Sequence, residues 1–345
     1  CSLCPLMTMF VGMSPMRISF AGGGTDMPEY YEKYGGCVVS TTIDLFTYLV
    51  FNSRNNESIQ AFASDFESQQ GPKKFADLEL HNGTEIAISA VKLLKFKKGG
   101  DYLISSNVKP GSGLGGSSSL AVNCVKTIST LQKKKLSNSE IAETAFHIER
   151  NILNHPIGKQ DDYITAFGGF NYINFNFKQV DVTPIKFSSS TFSELQENLI
   201  LFSMGTTRKS SDVLKDQLSC VKNQNMNTLE SLHYVKELAD ELHDSLKSSN
   251  LQNFAEIMNK GWSAKKKFTK GVTNEKIDKI YESAISNGAI GGKITGAGAG
   301  GHILLYCEKN KQKLLKEKMK NIGLDFVKFN FHKNSPKVLN LYDYS

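Results

Sequence analysis

The amino-acid sequence predicts an α+β protein in two domains, and three observations carry that expectation. A chain of 345 residues is long enough for two separate cores. Its first half alternates β-rich runs with helical patterns around a glycine-rich loop at 110–119, whereas long helical patterns dominate its second half. Between the two, Ser188-Ser-Ser-Thr-Phe-Ser193 interrupts both kinds of pattern. We therefore expect domains at 14–190 and 191–345, with Cys1 to Met13 as a leader outside the fold. That leader is apolar but lacks lysine and arginine, so it does not read as a secretory signal.

Taken in order, Met16 to Ala21 reads as a strand, and Pro28 to Tyr34 as a short helix stopped by Gly35-Gly36. Cys37 to Asn52 is rich in Val, Ile, Thr and Tyr, the composition of strands. Ile59 to Ser64 and Phe75 to His81 look like further strands. Glu85 to Phe96 places Ile86, Ala90, Leu93 and Leu94 on one face, which predicts a helix capped by Thr84. Tyr102 to Val108 is strand-like, and after the glycine loop Leu120, Cys124, Val125, Ile128 and Leu131 recur at helical spacing. Ser137-Asn-Ser-Glu140 is a capping box that opens a helix through about Leu153. His155-Pro-Ile-Gly158 stops it, and Gly169 to Phe177 is an aromatic strand. In the second half Leu199 to Met204 is a strand, and helices follow between Ser210 and Ser286, including Leu251 to Phe268. Gly288 to Cys307 reads as strand, glycine loop and strand; Lys311 to Asn321 is a helix and Phe326 to Phe331 a closing strand.

Composition narrows the function classes. Hydrophobic residues make up 40% and charged residues 22%, ordinary for a globular protein, and no apolar run is long enough to cross a bilayer. Six cysteines are scattered, and Cys1-x-x-Cys4 lacks the second pair of a zinc site, so reduced thiols in a cytoplasmic protein are expected. The formal charge of +7 suits small anions; no basic run interleaved with aromatics points to nucleic acid. Only Arg17, Arg54, Arg150 and Arg208 are arginines, so an arginine inside a motif stands out against a lysine-rich background.

The loop Pro110-Gly-Ser-Gly-Leu-Gly-Gly-Ser-Ser-Ser119 runs from a strand into a helix. Unpaired N–H groups at a helix N-terminus, with the macrodipole behind them, favour a phosphate. Glycine lets that anion reach the backbone. Gly111, Gly113 and Gly116 match G-x-G-x-x-G, but the loop comes about a hundred residues too late for the first turn of a dinucleotide-binding domain. It has no Gly-Lys-Ser/Thr ending, and neither His-Arg-Asp nor Asp-Phe-Gly occurs for a protein-kinase reading.

Pro110 to Ser118 resembles the phosphate-loop signature of the GHMP small-molecule kinases, which include galactokinase, homoserine kinase and mevalonate kinase. Two further stretches resemble that family's flanking motifs, Ser14-Pro-Met-Arg-Ile-Ser-Phe-Ala-Gly-Gly-Gly-Thr-Asp26 and Lys293-Ile-Thr-Gly-Ala-Gly-Ala-Gly-Gly301. The resemblance implies an N-terminal domain like ribosomal protein S5, a ferredoxin-like C-terminal domain, and transfer of phosphate from ATP with Mg2+. It places ATP phosphates on Gly111, Ser112, Gly113, Leu114, Gly115, Gly116, Ser117 and Ser118, the metal on Ser117 and Glu149, and the acceptor sugar against Gly23, Gly24, Thr25, Asp26 and Gly298.

Gly158-Lys-Gln-Asp-Asp-Tyr163 resembles the segment that supplies the catalytic aspartate. Asp161 is the base by register, with nearby Lys159 expected to keep it ionised. The family often has glutamine where this chain has Asp162, which leaves the adjacent acid as a competing choice. Arg17 takes the place of an arginine that stabilises charge during transfer. Gly23-Gly24 replaces the Glu-His of galactokinases, which argues against galactose. Finally, Gly205-Thr-Thr-Arg-Lys-Ser-Ser211 resembles an element of the branch containing heptose-phosphate kinases and fucokinase-like enzymes. Arg208 and Lys209 suit a phosphate on the acceptor. The implied activity is ATP-dependent phosphorylation of the anomeric hydroxyl of a heptose 7-phosphate; a neutral-sugar kinase and a silent sugar sensor are the alternatives.

Overall fold

A computed structural model describes residues 8–205 and 210–341. The chain opens with β1 (Met9–Ala21), α1 (Pro28–Tyr34) and an 18-residue strand β2 (Gly36–Ser53), followed by β3 (Ile59–Ala63), β4 (Ser68–Lys73), α2 (Glu85–Leu93) and β5 (Gly100–Ser106). The glycine loop leads into α3 (Gly116–Leu131), then α4 (Asn138–His147), a π-turn at Ile148–Ile152, α5 (Gln160–Phe167), β6 (Phe170–Phe175) and β7 (Val180–Pro184). Next come α6 (Ser189–Asn198), β8 (Leu199–Ser203), α7 (Ser210–Lys222), α8 (Met226–Lys247), α9 (Leu251–Lys265) and α10 (Glu275–Ser286). The remaining elements are β9 (Ala289–Ile294), β10 (His302–Cys307), α11 (Gln312–Asn321), β11 (Asp325–Val327), β12 (Phe331–His332) and β13 (Lys337–Asn340).

The spine of the first sheet is β13-β1-β2-β5-β3-β4, and β2 is long enough to change neighbours along one edge. Its first residues pair with β6, its last with β5, while β1 runs antiparallel along its other side. The β1 ladder slips at Pro15/Met16, where proline offers no N–H. Helix α3 lies on this sheet, tied down by polar groups as well as packing. The buried Asn123 amide donates to the Gly12 and Thr47 carbonyls, and Gly12 is needed there because a Cβ would come 2.2 Å from the Asn123 oxygen. The second sheet is four-stranded and antiparallel in the order β11-β8-β10-β9. One hydrophobic cluster spans both sheets, with Met16, Ile18 and Phe20 of β1 packed among residues such as Leu201, Phe254 and Leu304.

Several sequence expectations need correction. Met9 to Met13, expected outside the fold, form the start of β1 and pair with β2, and from Phe10 onward with β13 as well. Phe75 to His81 is not a strand: Phe75–Asp77 forms a short 3₁₀ turn, and the strand lies earlier, at β4. Thr84 donates its hydroxyl back to the His81 carbonyl instead of capping α2. The closing strand expected at Phe326 to Phe331 is split between β11 in the second sheet and β12, which joins β2 in the first. The last described strand, β13, also belongs to the first sheet, so the end of the expected 191–345 unit crosses back. Among the described residues no helix is long and apolar enough to cross a membrane.

Candidate active site

Three sequence-distant segments converge at the glycine loop. The first turn of α3 presents three serines with two jobs. Ser119 is structural: its hydroxyl donates to the Ser14 carbonyl and meets the Thr47 hydroxyl at 2.9 Å. Ser117 and Ser118 instead both donate to Glu149, the latter at 2.6 Å. Glu149 is fully buried, brought inward by the π-turn that follows α4. Arg150, its sequence neighbour, faces elsewhere and pairs with Glu29 at 2.5 Å.

Arg17 of β1 reaches the same place from the sheet. Its Nε and Nη2 form a fork on the Asp161 carboxylate at 2.7 and 2.5 Å, while Nη1 donates to the Gly113 carbonyl at 2.5 Å. A fixed bidentate pair of this kind sets the direction of the carboxylate. Lys159, expected to be the ion-pair partner of Asp161, pairs with Glu143 at 2.5 Å. Asp161 and Asp162, in the first turn of α5, point in different directions. Asp161 lines the cavities, whereas Asp162 is fully buried behind it, with no N–H or hydroxyl of another described residue donating to it and the Glu149 carboxylate as the neighbour its protonated carboxyl bonds.

Burial, then the Glu149 and Asp161 charges, push the Asp162 carboxyl well above the usual range. The folded protein therefore holds a proton there that the unfolded chain releases. Asp162's contribution to stability is intact below its unfolded value and is lost as pH rises through the folded one. Asp162→Asn should raise unfolding free energy at neutral pH by roughly 1–3 kcal/mol, with a smaller gain near pH 4. Denaturant titrations at both pH values check this; destabilisation at neutral pH would mean that the Asp162 carboxyl itself is required.

Two cavities meet at Arg17 and Asp161. The larger, about 520 Å3, runs along the glycine loop to Phe66, Ile86 and Ile104. These apolar side chains suit a flat base, and the sequence did not single them out. Gly111, Ser112, Gly113, Gly115, Gly116, Ser117 and Ser118 line it. Leu114 does not: its side chain is fully buried in the core, and only its carbonyl works locally, accepting from the Arg17 N–H at 3.0 Å. The loop also touches the third motif backbone to backbone. A Cβ on Gly113 would sit 2.6 Å from the Thr295 carbonyl, and one on Gly296 2.7 Å from the Gly113 Cα.

The smaller cavity is lined by Gly23, Gly24 and Asp26 of the first motif. Asp26 accepts from the Gly24 N–H at 2.9 Å, the Gln160 N–H at 3.1 Å and the Gln160 amide at 3.0 Å. Burial and then the Asp161 charge raise its pKa. Thr25 is not at the cavity: its fully buried hydroxyl donates to the Gly22 carbonyl and accepts from the Cys37 N–H, holding the turn. Gly298 likewise abuts the Val272 carbonyl, which a Cβ would approach to 2.6 Å. Arg208 and Lys209 lie outside the described residues, although Ser211 and Leu214 just beyond them line the larger cavity. Lys265 and Gln217, which also line the smaller cavity, were missed by sequence reasoning, and Gln160 and Lys293 were seen only as letters of a motif.

The chain is similar to known proteins along most of its length. Residues 85–169 match the GHMP kinases N terminal domain and residues 242–323 the GHMP kinases C terminal family. A D-glycero-alpha-D-manno-heptose 7-phosphate kinase from Campylobacter jejuni subsp. jejuni serotype O:2 is 34% identical over 305 residues, covering 87% of this chain and 89% of that protein. The chain belongs to the GHMP kinase family. Its two-domain fold is the GHMP kinase fold. A solved D-glycero-D-manno-heptose 1-phosphate kinase from Bacteriodes thetaiotaomicron superposes with a TM-score of 0.80 at 24% identity, covering 96% of this chain and 99% of that one. Galactokinase from Lactococcus lactis, solved with galactose, gives 0.75 at 17% identity, covering 96% and 95%. GHMP kinases use ATP as a substrate.

Proposed function

We propose that this GHMP kinase transfers the γ-phosphoryl group of ATP to the anomeric hydroxyl of D-glycero-D-manno-heptose 7-phosphate, giving the 1,7-bisphosphate for nucleotide-activated heptose synthesis in the cytoplasm. The observation that carries the reading is the Arg17–Asp161 fork, held where the nucleotide-side and acceptor-side cavities meet. The 34% identity to a heptose 7-phosphate kinase supports this acceptor. The acceptor hydroxyl gives its proton to Asp161 as its oxygen bonds to the γ-phosphorus, and the bond from that phosphorus to the β-phosphate oxygen breaks to release ADP. Arg17, fixed between Asp161 and the Gly113 carbonyl, faces the charge that builds between the two substrates.

The residues present fit a divalent metal. Glu149 is a buried carboxylate met by two serine hydroxyls and, at 3.6 Å, by the His155 ring, an oxygen-rich set without a fixed lysine or arginine among the described residues. Ser117 and Glu149 would hold Mg2+, which when bound supplies positive charge to the phosphate oxygens.

Arg208 and Lys209 are proposed to bind the acceptor's own phosphate. Arg208→Ala should lower kcat/KM for heptose 7-phosphate by about one to two decades, since charge-assisted contacts contribute on the order of 1.5–3 kcal/mol each. The ATP KM should change little, and unphosphorylated heptose should be much less affected. Steady-state kinetics on both sugars with both enzymes test the reading; an equal loss on the two sugars would favour a neutral-sugar kinase.

A further inference from the structure

Hydrogen-bonding capacity in the acceptor-side cavity is unevenly distributed. Asp26 and the unpartnered Gln160 Oε1 accept, as sugar hydroxyls require. A second set of groups donates. Lys265, 8% exposed at the end of α9, has three N–H groups and shows one bond, to the Gly296 carbonyl. Lys293, 7% exposed on β9, donates to the Phe20 carbonyl at 3.3 Å. The Gln217 amide nitrogen, on a side chain 2% exposed, has no partner at all.

Charge is unevenly matched too. Arg17 is taken up by Asp161, and among the described residues neither lysine has a carboxylate within 4.0 Å, so Asp26 is the one lining carboxylate left for two ammonium groups. Burial lowers Lys265 to about 8, with Arg17 adding to the shift and Asp26 and Asp161 opposing it. Burial and then the Lys265 and Arg17 charges hold Lys293 well below the usual lysine range. Two desolvated lysines that share one lining carboxylate are complementary to an anion that enters with the ligand and favours their protonated forms.

We infer that Lys265, Lys293 and Gln217 form an anion-receiving site inside the acceptor cavity, which takes the acceptor's phosphate group. This deepens the sugar-phosphate reading and rests on it, adding Lys265, Lys293 and Gln217 to Arg208 and Lys209 as groups proposed to hold that one phosphate. A purely structural role would be to tie the domains together, since the Lys293 bond joins β9 to β1 and the Lys265 bond reaches the loop beside Gly113.

The test compares Lys265→Met and Lys293→Met with the unaltered enzyme on heptose 7-phosphate and on unphosphorylated heptose. Melting temperature, ATP KM and inhibition by inorganic phosphate are measured alongside. Each variant should raise the KM for heptose 7-phosphate about tenfold or more, leave the ATP KM within about twofold, and weaken competitive inhibition by phosphate against the acceptor. An equal loss on both sugars would overturn the inference by assigning the lysines to the transferred phosphoryl group or to the fold. Unaltered kinetics in a folded variant would overturn it as well. If the lysine variants do not fold, Gln217→Glu serves in their place, because a carboxylate there should penalise the phosphorylated sugar selectively; equal penalties refute the site. Failure of the unaltered enzyme to prefer heptose 7-phosphate would sink the wider functional reading, whereas the phosphate-inhibition comparison reports on the anion site alone.

Discussion

Asp161→Asn is expected to lower kcat by about 10²-fold or more while ATP binding stays nearly intact. The asparagine keeps the shape of the side chain and can still accept from one arm of the Arg17 fork, so Gly113, which Arg17 also holds, should not move. What is lost is a group able to take the acceptor's proton. Turnover of heptose 7-phosphate, with nucleotide affinity measured by calorimetry, separates the two effects. Asp162→Asn is the paired control, because that carboxyl is buried against Glu149 and lines neither cavity. Near-normal turnover in Asp161→Asn together with inactivity in Asp162→Asn would transfer the role of base by one residue.

The second large effect is expected at Gly115, which caps α3 with φ +75. Valine there meets two costs. A β-branched residue in left-handed backbone is strained by about 1–2 kcal/mol. Its Cβ would also lie 3.0 Å from the Arg17 Cγ and 3.2 Å from Nε, pressing on the fork that holds Asp161. Gly115→Val should therefore weaken ATP binding about tenfold and reduce kcat about 10²-fold, with circular dichroism nearly unchanged. Gly116→Ala should cost less, since its Cβ would touch only the Met16 methyl at an ordinary 3.6 Å. Unaltered nucleotide affinity in folded Gly115→Val would place the phosphate cradle elsewhere.

The parts of this site legible in the sequence were those written in local chemistry. A glycine-rich turn before a helical pattern and the Ser137/Glu140 capping box act over a few residues, and both occur in the structure. The partner of Asp161 was not legible from neighbours, because Lys159 two positions away on a helix faces another direction and the true partner lies 144 residues upstream. Lys265 was hidden inside Lys265-Lys266-Lys267, where a buried amine looks like its half-buried and exposed neighbours. Strand β13 was missed because Lys337-Val-Leu-Asn340 is short and half exposed; it is a strand by virtue of the β1 edge that receives it.

That pairing bears on how the protein is made. Phe10 to Met13 of β1 hydrogen-bond with residues 337–340, so one flank of the strand that carries Arg17 waits for a partner synthesised more than three hundred residues later. During translation this flank is an open β-edge, a template for pairing with another nascent chain until β13 emerges. The strand that carries Arg17 is thus made long before its edge is sealed, which makes truncations before Lys337 prone to association as well as to loss of stability.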